Sequence, residues 1–174
     1  MQNPQIKITF FFLQNFQRPL PVRLAAGRTL LIFLRYNLKA QQRSEIRNQI
    51  ISEFARSRNC YVRMIFIRMM EEAMLIFSSV YFKEHFCSAL LAMSEDRVAN
   101  VRLKIITLFP TIKSSLSLPA DKKILTTLES NIRTLLNNEN DRDVKAALAE
   151  AMLQMEKIQV KEDNLPVSLL HYFS

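Results

Sequence analysis

A valine followed by a base recurs along this chain, at Val22-Arg23, Val62-Arg63, Val101-Arg102 and Val144-Lys145, with spacings of 40, 39 and 43 residues. Each copy opens an apolar stretch of helical period, and a further helical stretch precedes each of the last three. Self-similarity at a period near 40 with two helices per unit is the pattern of chains that stack paired helices, one unit burying its apolar face against the next. Such arrays offer extended binding surfaces. Four units fill the 174 residues.

Composition supports helices joined by short turns. Gly27 is the single glycine, with six prolines and no tryptophan. Phosphate-cradling loops, dinucleotide-binding turns and β-hairpins draw on glycine at positive φ, so this chain is poorly equipped for them. The apolar share of 49% suffices for a continuous core. Charge is uneven: residues 1–70 carry 12 Lys/Arg against Glu45 and Glu53, a net of +10, whereas the remainder nets −2 within the total of +8. A basic half invites nucleic acid or an acidic protein partner, and is equally the solvated face of arginine-rich helices. Cys60 and Cys87 lie in apolar helical stretches without C-x-x-C spacing, which predicts reduced, buried thiols. The early uncharged run, Ile8–Gln17, is too short and too polar to span a bilayer. No secretory leader or nuclear-import signal stands out, and a cytoplasmic setting is the expectation.

The last helix pair reads most clearly. Leu125, Leu128, Ile132, Leu135 and Leu136 recur helically after Pro119 and Asp121, and Asn137-Asn138 mark a stop. Asn140 is placed to cap the next helix, whose stripe is Val144, Ala147, Leu148, Ala151, Met152 and Met155. In the unit before, Phe82, Phe86, Ala89, Leu90 and Met93 form one helix, Ser94-Glu95-Asp96 a turn, and Val98, Val101, Ile105, Leu108 and Phe109 a second helix that Pro110 ends or kinks. Earlier still, Ile46, Ile50, Ile51 and Phe54 precede a turn at Ser57–Asn59, followed by Val62, Ile65, Phe66, Met69, Ala73 and Phe77. The first unit departs from this plan. Pro19 and Pro21 introduce Val22, Leu24, Leu30, Leu31 and Leu34, but the segment Ile6–Phe16, with Phe10, Phe11, Phe12 and Phe16, reads as a strand-like or loosely helical cap. Residues 1–18 are thus a divergent N-terminal segment, 19–158 the repeat region and 159–174 a divergent C-terminal tail.

The stretch Ser94-Glu95-Asp96-Arg97-Val98-Ala99-Asn100-Val101-Arg102 resembles the turn-and-helix signature of HEAT repeats, with an acid six residues before the helix base. Asp96 and Arg102 match it, Glu139 and Lys145 match it conservatively, and Ser57 and Gln17 replace the acid in the first two units. Within that family the block Asn140–Met155 and the turn Glu95–Arg102 resemble scaffold and regulatory subunits of serine/threonine protein phosphatases, and the run from Thr29 to Lys161 is most similar to those of the phosphatase 4 type. The resemblance implies an all-α, HEAT-type α-solenoid of about three full antiparallel helix pairs plus an incomplete N-terminal unit. It also implies a ladder of acids and bases between repeats, and we expect Asp96 and Arg102 to interact. In related scaffolds the turns between paired helices form a ridge that holds other subunits. The matching candidates here are Arg58 and Asn59, then Glu95, Asp96 and Arg97, then Asn138, Glu139, Asp141 and Arg142. The same residue types also suit a merely solvated turn.

No catalytic constellation emerges. His85 and Cys87 are two apart and do not share a helix face. His171 is isolated, Glu71-Glu72 point to different sides, and H-E-x-x-H, G-x-S-x-G and Walker patterns are missing. Met64, Met69, Met70 and Met74 favour core packing over an adaptable groove. The expectation is therefore a non-catalytic regulatory or scaffold subunit without metal or cofactor, which positions a phosphatase catalytic subunit of the phosphatase 4 type. The alternative is a transport or nucleic-acid-associated solenoid using Arg43, Arg47, Arg56, Arg58 and Arg63.

Overall fold

The computed structural model describes residues 4–15 and 17–162, and these are almost wholly helical. They divide into two compact units, Met1–Ile105 and Ile106–Ser174.

In the first unit, α1 (Pro4–Gln14) packs against α2 (Leu20–Tyr36). The segment read as a strand-like or loosely helical cap is an α-helix, with Phe10 and Leu13 buried. Phe10 meets the Phe54 ring at 5.8 Å. Phe11 stays exposed, and Phe12 lies under the Arg18 guanidinium at 5.4 Å; Phe16 falls outside the described residues. Pro19 and Pro21 suit the start of α2, where backbone N–H groups have no helical acceptor to lose. The only glycine sits mid-helix here rather than in a turn. A Cβ on Gly27 would stand 3.0 Å from Met69 Cγ and 3.2 Å from Leu13 Cδ2, so its lack of a side chain lets α1, α2 and the helix that carries Met69 approach one another.

The next helix, α3 (Ala40–Ile50), runs on into a π-turn over Ile51–Ala55. After the turn at Ser57–Asn59 comes α4 (Cys60–Ile76), which Asn59 caps: its side-chain oxygen accepts from the Tyr61 N–H at 2.9 Å. Val62, Ile65, Phe66, Met69, Met70 and Ala73 are buried, at i, i+3, i+4, i+7, i+8 and i+11. Met69 and Met70 belong to the core, as the methionine pattern suggested. Then α5 (Ser79–Phe82), a π-turn over Lys83–Cys87, α6 (Ser88–Leu91) and a 3-10 turn over Ala92–Glu95 form one continuous segment. The helix α7 (Ala99–Ile106) follows, with Val101 and Ile105 fully buried.

The second unit opens with α8 (Phe109–Ser114), where Pro110 occupies the first turn, so the chain breaks just before this proline. A short parallel pairing joins β1 (Ser117–Leu118) to β2 (Lys161–Glu162), an element that the helical patterning did not anticipate. Between them lie α9 (Lys122–Asn138) and α10 (Arg142–Glu156). The core of this unit includes Ile112, Leu128, Leu135, Val144, Leu148, Ala151 and Met155. Leu136, assigned to the stripe of α9, is 55% exposed. The Lys113 ammonium donates to the Met155 carbonyl at 2.8 Å, a last-turn acceptor that also takes the Ile158 N–H at 3.1 Å. Among the described residues, no helix is long and apolar enough to cross a membrane. Beyond Glu162 the expected C-terminal tail lies outside the described residues.

Candidate partner-binding turns

Each of the three candidate turns has a side-chain oxygen that accepts a backbone N–H two residues ahead. The Ser57 hydroxyl accepts from Asn59 N at 3.2 Å, Asp96 Oδ1 from Val98 N at 2.9 Å, and Glu139 Oε1 from Asp141 N at 2.9 Å. Glu139 also accepts from Asn140 N at 2.9 Å. Ser, Asp and Glu therefore do one local job at equivalent points of the repeat. The cap of α10 is Asp141, not Asn140: Asp141 Oδ1 accepts from Asp143 N at 2.9 Å and Val144 N at 3.1 Å. A carboxylate suits that position, facing the positive end of the helix dipole.

Two bases of the recurring dipeptides, Arg63 and Arg102, tie their turns down. Arg63 Nη1 donates to the Ser57 and Arg58 carbonyls at 2.9 and 3.1 Å. Arg102 Nη1 donates to the Asp96 carbonyl at 2.7 Å. In both, a guanidinium reaches the carbonyl six residues upstream. The carboxylate of Asp96, however, is held by Arg63 of α4, through Nε at 2.5 Å and Nη2 at 2.7 Å. The two side chains are only 7% and 4% exposed. Hydrogen bonding and charge from Asp96 raise the Arg63 pKa above its ordinary value, against the opposing effect of burial. The expected Asp96–Arg102 contact thus exists through the backbone of Asp96, while the ionic partner is Arg63.

A second strut repeats the spacing. Glu71 on α4 receives Lys104 of α7 at 2.5 Å, and this pair, like Arg63–Asp96, is separated by 33 residues. Arg97 Nη2 further donates to the Arg58 carbonyl at 3.0 Å. The turns Ser57–Asn59 and Glu95–Val98 are thereby fastened side by side.

Of the candidate residues, Arg58, Asn59, Glu95 and Arg97 are exposed on these two joined turns, and Asn138 and Arg142 are exposed in the second unit. Asp96 and Glu139 turn their carboxylates inward, and Asp141 is half-buried at its cap. The resemblance implied a ladder of acids and bases between repeats, but the pair named for it, Asp96 with Arg102, joined an acid to the base six positions ahead, and the role of Arg63 was not named. The usable signal was the same pattern read one repeat back.

Several bases offered for nucleic acid are already engaged within the molecule. Arg43 donates to the Asn37 carbonyl at 2.8 Å, and Arg47 to the Tyr81 hydroxyl at 3.1 Å, lying over that ring at 5.8 Å. Arg63 is buried, leaving Arg56 and Arg58 as the exposed members of that set. Arg23 is also buried, donating through Nε to the Leu13 carbonyl at 2.9 Å, and burial lowers its pKa. His85 packs edge-on to Tyr81 at 4.4 Å, and burial together with the Arg47 charge lowers its pKa, partly countered by Glu84. Cys87 is buried, whereas Cys60 is only half-buried, contrary to expectation. Among the described residues, no cluster of three or more His, Cys, Asp or Glu side chains is grouped so as to hold a metal ion.

Comparison with known proteins adds what the turns alone do not carry. A human protein is 39% identical over 144 residues, or 83% of this chain. The chain resembles serine/threonine-protein phosphatase 4 regulatory subunit 4. The mouse protein of the same name is 38% identical over the same share of the chain. The chain spans 16% of the length of regulatory subunit 4 in both species. No family model matches the sequence, and no solved structure matches it.

Proposed function

We propose that this chain is a non-catalytic, HEAT-type regulatory or scaffold element of a serine/threonine protein phosphatase complex, and that its helix-linking turns hold a catalytic subunit of the phosphatase 4 type. The observation that carries the reading is the similarity over 144 residues to proteins named phosphatase 4 regulatory subunit 4. It is supported by the interlock of Arg63, Asp96, Arg97 and the Arg58 carbonyl, which fixes two exposed turns in one relative placement. A fixed ridge suits docking because little side-chain and loop freedom remains to be lost on association. The mechanism is positioning: a bound catalytic subunit meets substrates at a raised effective concentration. Cys60 and Cys87 outside any disulfide suit a reducing cytoplasmic setting.

The test is capture of the phosphatase 4 catalytic subunit by this chain, with Arg58→Glu, Arg97→Glu and Arg142→Glu compared against the unaltered protein. All three side chains are exposed, so helicity by circular dichroism is expected to persist while affinity falls about tenfold or more. Capture that survives all three reversals removes these turns from the interface, and no capture by the unaltered chain refutes the reading. Binding of single-stranded RNA with a steep salt dependence would instead favour the nucleic-acid alternative.

A further inference from the structure

The three most exposed large apolar side chains among the described residues, Leu38 (93%), Leu75 (82%) and Tyr36 (72%), belong to one end of the first unit. The packing of α2 on α4 brings them there. Leu20 and Arg23, at the start of α2, share a groove with Cys60, Tyr61 and Met64, at the start of α4. Further along, Gly27 lies against Met69, and Arg28 bonds Glu72 at 3.1 Å. The two helices therefore run the same way and finish together, with Tyr36 and Leu75 in their last turns. Leu38 lies in the link from α2 to α3, and Val80, 69% exposed, in the first turn of α5. The turn Ser57–Asn59, which precedes α4, is at the opposite end. Apolar residues exposed singly need no explanation, whereas a concentration of them marks a contact surface.

Both links are braced. Asn37 Oδ1 accepts the Lys39 N–H at 2.9 Å, its amide donates to Gln42 at 3.0 Å, and its carbonyl accepts from Arg43 at 2.8 Å. Phe77 stacks on Tyr81 at 4.7 Å, and the Ser78 hydroxyl accepts the Tyr81 N–H at 3.3 Å. The apolar tips thus stand on fixed backbone, and little freedom is lost when they are covered. Residues 35–39 read Arg-Tyr-Asn-Leu-Lys and residues 75–80 Leu-Ile-Phe-Ser-Ser-Val, without a carboxylate. Arg35 and Lys39 are exposed. The carboxylates closest in sequence are set back along the helices: Glu45 on α3, Glu72 paired with Arg28, and Glu84 following Lys83.

We propose that this end of the first unit sits on an anionic phospholipid bilayer, with Leu38, Leu75, Tyr36 and Val80 entering the boundary between headgroups and acyl chains while Arg35 and Lys39 face lipid phosphates. Charge complementarity selects this occupant: apolar tips flanked by bases gain from hydrocarbon and from anionic headgroups together. Tyr36 suits the same boundary, where its ring is apolar and its hydroxyl wet. The tips project from two separate links, a shape that a fluid surface accepts without a matching pocket. A second copy of the chain, brought two-fold against the same end, would set Arg35 and Lys39 against their own kind. The surface is separate from the candidate partner-binding turns and does not depend on a phosphatase being bound.

The experiment floats the full chain with vesicles of phosphatidylcholine alone, or of phosphatidylcholine and phosphatidylserine in equal parts. Binding to the mixed vesicles is expected, weaker on the neutral ones and reduced by high salt. Leu38→Ser and Leu75→Ser should each weaken it about tenfold, and Lys39→Glu about fivefold or more. All three positions are exposed, and unchanged thermal unfolding confirms that the variants fold. The chain has no tryptophan, so Leu38→Trp reports on the tip alone, and its emission should shift to the blue on mixed vesicles. No binding to mixed vesicles overturns the proposal, as does binding indifferent to Leu38→Ser and Leu75→Ser, or Leu38→Trp emission that does not move. An equal loss with Tyr61→Ser, exposed at the opposite end, overturns it as well. A dimer in solution that Leu38→Ser dissolves overturns it in favour of a second copy of the chain.

Discussion

Replacing Asp96 with alanine is expected to be among the most damaging single changes in the first unit. The carboxylate does two things at once: it neutralises Arg63 through two short contacts, and it accepts the Val98 N–H ahead of α7. Both members of the ion pair are under 10% exposed, so solvent does little to screen the loss. Breaking a buried pair from one side costs about 3–5 kcal/mol, because the surviving charge stays in low dielectric. Losing a cap acceptor adds about 1 kcal/mol. Against this, Arg63 keeps its bonds to the Ser57 and Arg58 carbonyls, which solvate part of the abandoned charge. The net expectation is about 3–4 kcal/mol, or roughly 10 °C in the melting temperature for a chain of this size. Urea unfolding of Asp96→Ala, Arg63→Met and the double variant separates the pair from its surroundings. Coupling of about 2–3 kcal/mol is expected between Arg63 and Asp96, and less than about 1 kcal/mol in the same cycle with Arg102. Coupling below about 0.5 kcal/mol for the first pair, or a larger value for Arg102, would refute the argument that the ionic bond joins the turn before α7 to α4.

Leu128→Ala, at a position 1% exposed, is expected to cost about 2–4 kcal/mol, whereas Leu136→Ala, 55% exposed, should stay within about 0.5 kcal/mol by urea unfolding. Gly27→Leu forces a branched side chain toward Met69 and Leu13 and should destabilise by about 1–3 kcal/mol in thermal melts; an unchanged melting temperature would show that α2 and α4 are not held that closely. His85 has a folded pKa below its ordinary 6.5, so the unfolded chain takes up the proton more readily. Its contribution is therefore full above about 6.5 and declines as pH falls from there toward the folded value. His85→Gln should flatten the stability profile in that window, and an unaltered slope would assign it to other groups.

Much of the helical plan was readable because burial repeats at 3.6 residues: the stripe from Val62 to Ala73 is buried where its spacing placed it, as are Val144, Leu148, Ala151 and Met155, with Ala147 and Met152 half-buried beside them. What was not readable depended on distant neighbours. Phe10 and Leu13 read as a cap because four phenylalanines crowd a short segment with little polar contrast, yet both pack inward with α2 and Phe54. Asp96 and Arg102 looked like partners because they are close in sequence, while the partner that won is 33 residues away. Leu136 satisfied the period but lies at the edge of the stripe, where nothing covers it. Asn140 and Asp141 are both good caps, and only backbone geometry distinguishes them. The candidate turns were located by pattern, but which side chains face outward was decided by bonds such as Glu139 to its own turn.

The Arg63–Asp96 and Glu71–Lys104 struts also determine where the polypeptide can be divided. The turn at Phe77–Ser78, between two well-formed helices, looks like a natural place to end a shortened protein. A fragment ending there would keep Arg63 and Glu71 but discard the groups that answer them, Asp96 and Lys104. Helical boundaries and severable boundaries therefore do not coincide in this molecule, and a soluble N-terminal piece must carry the chain through α7 before it stops.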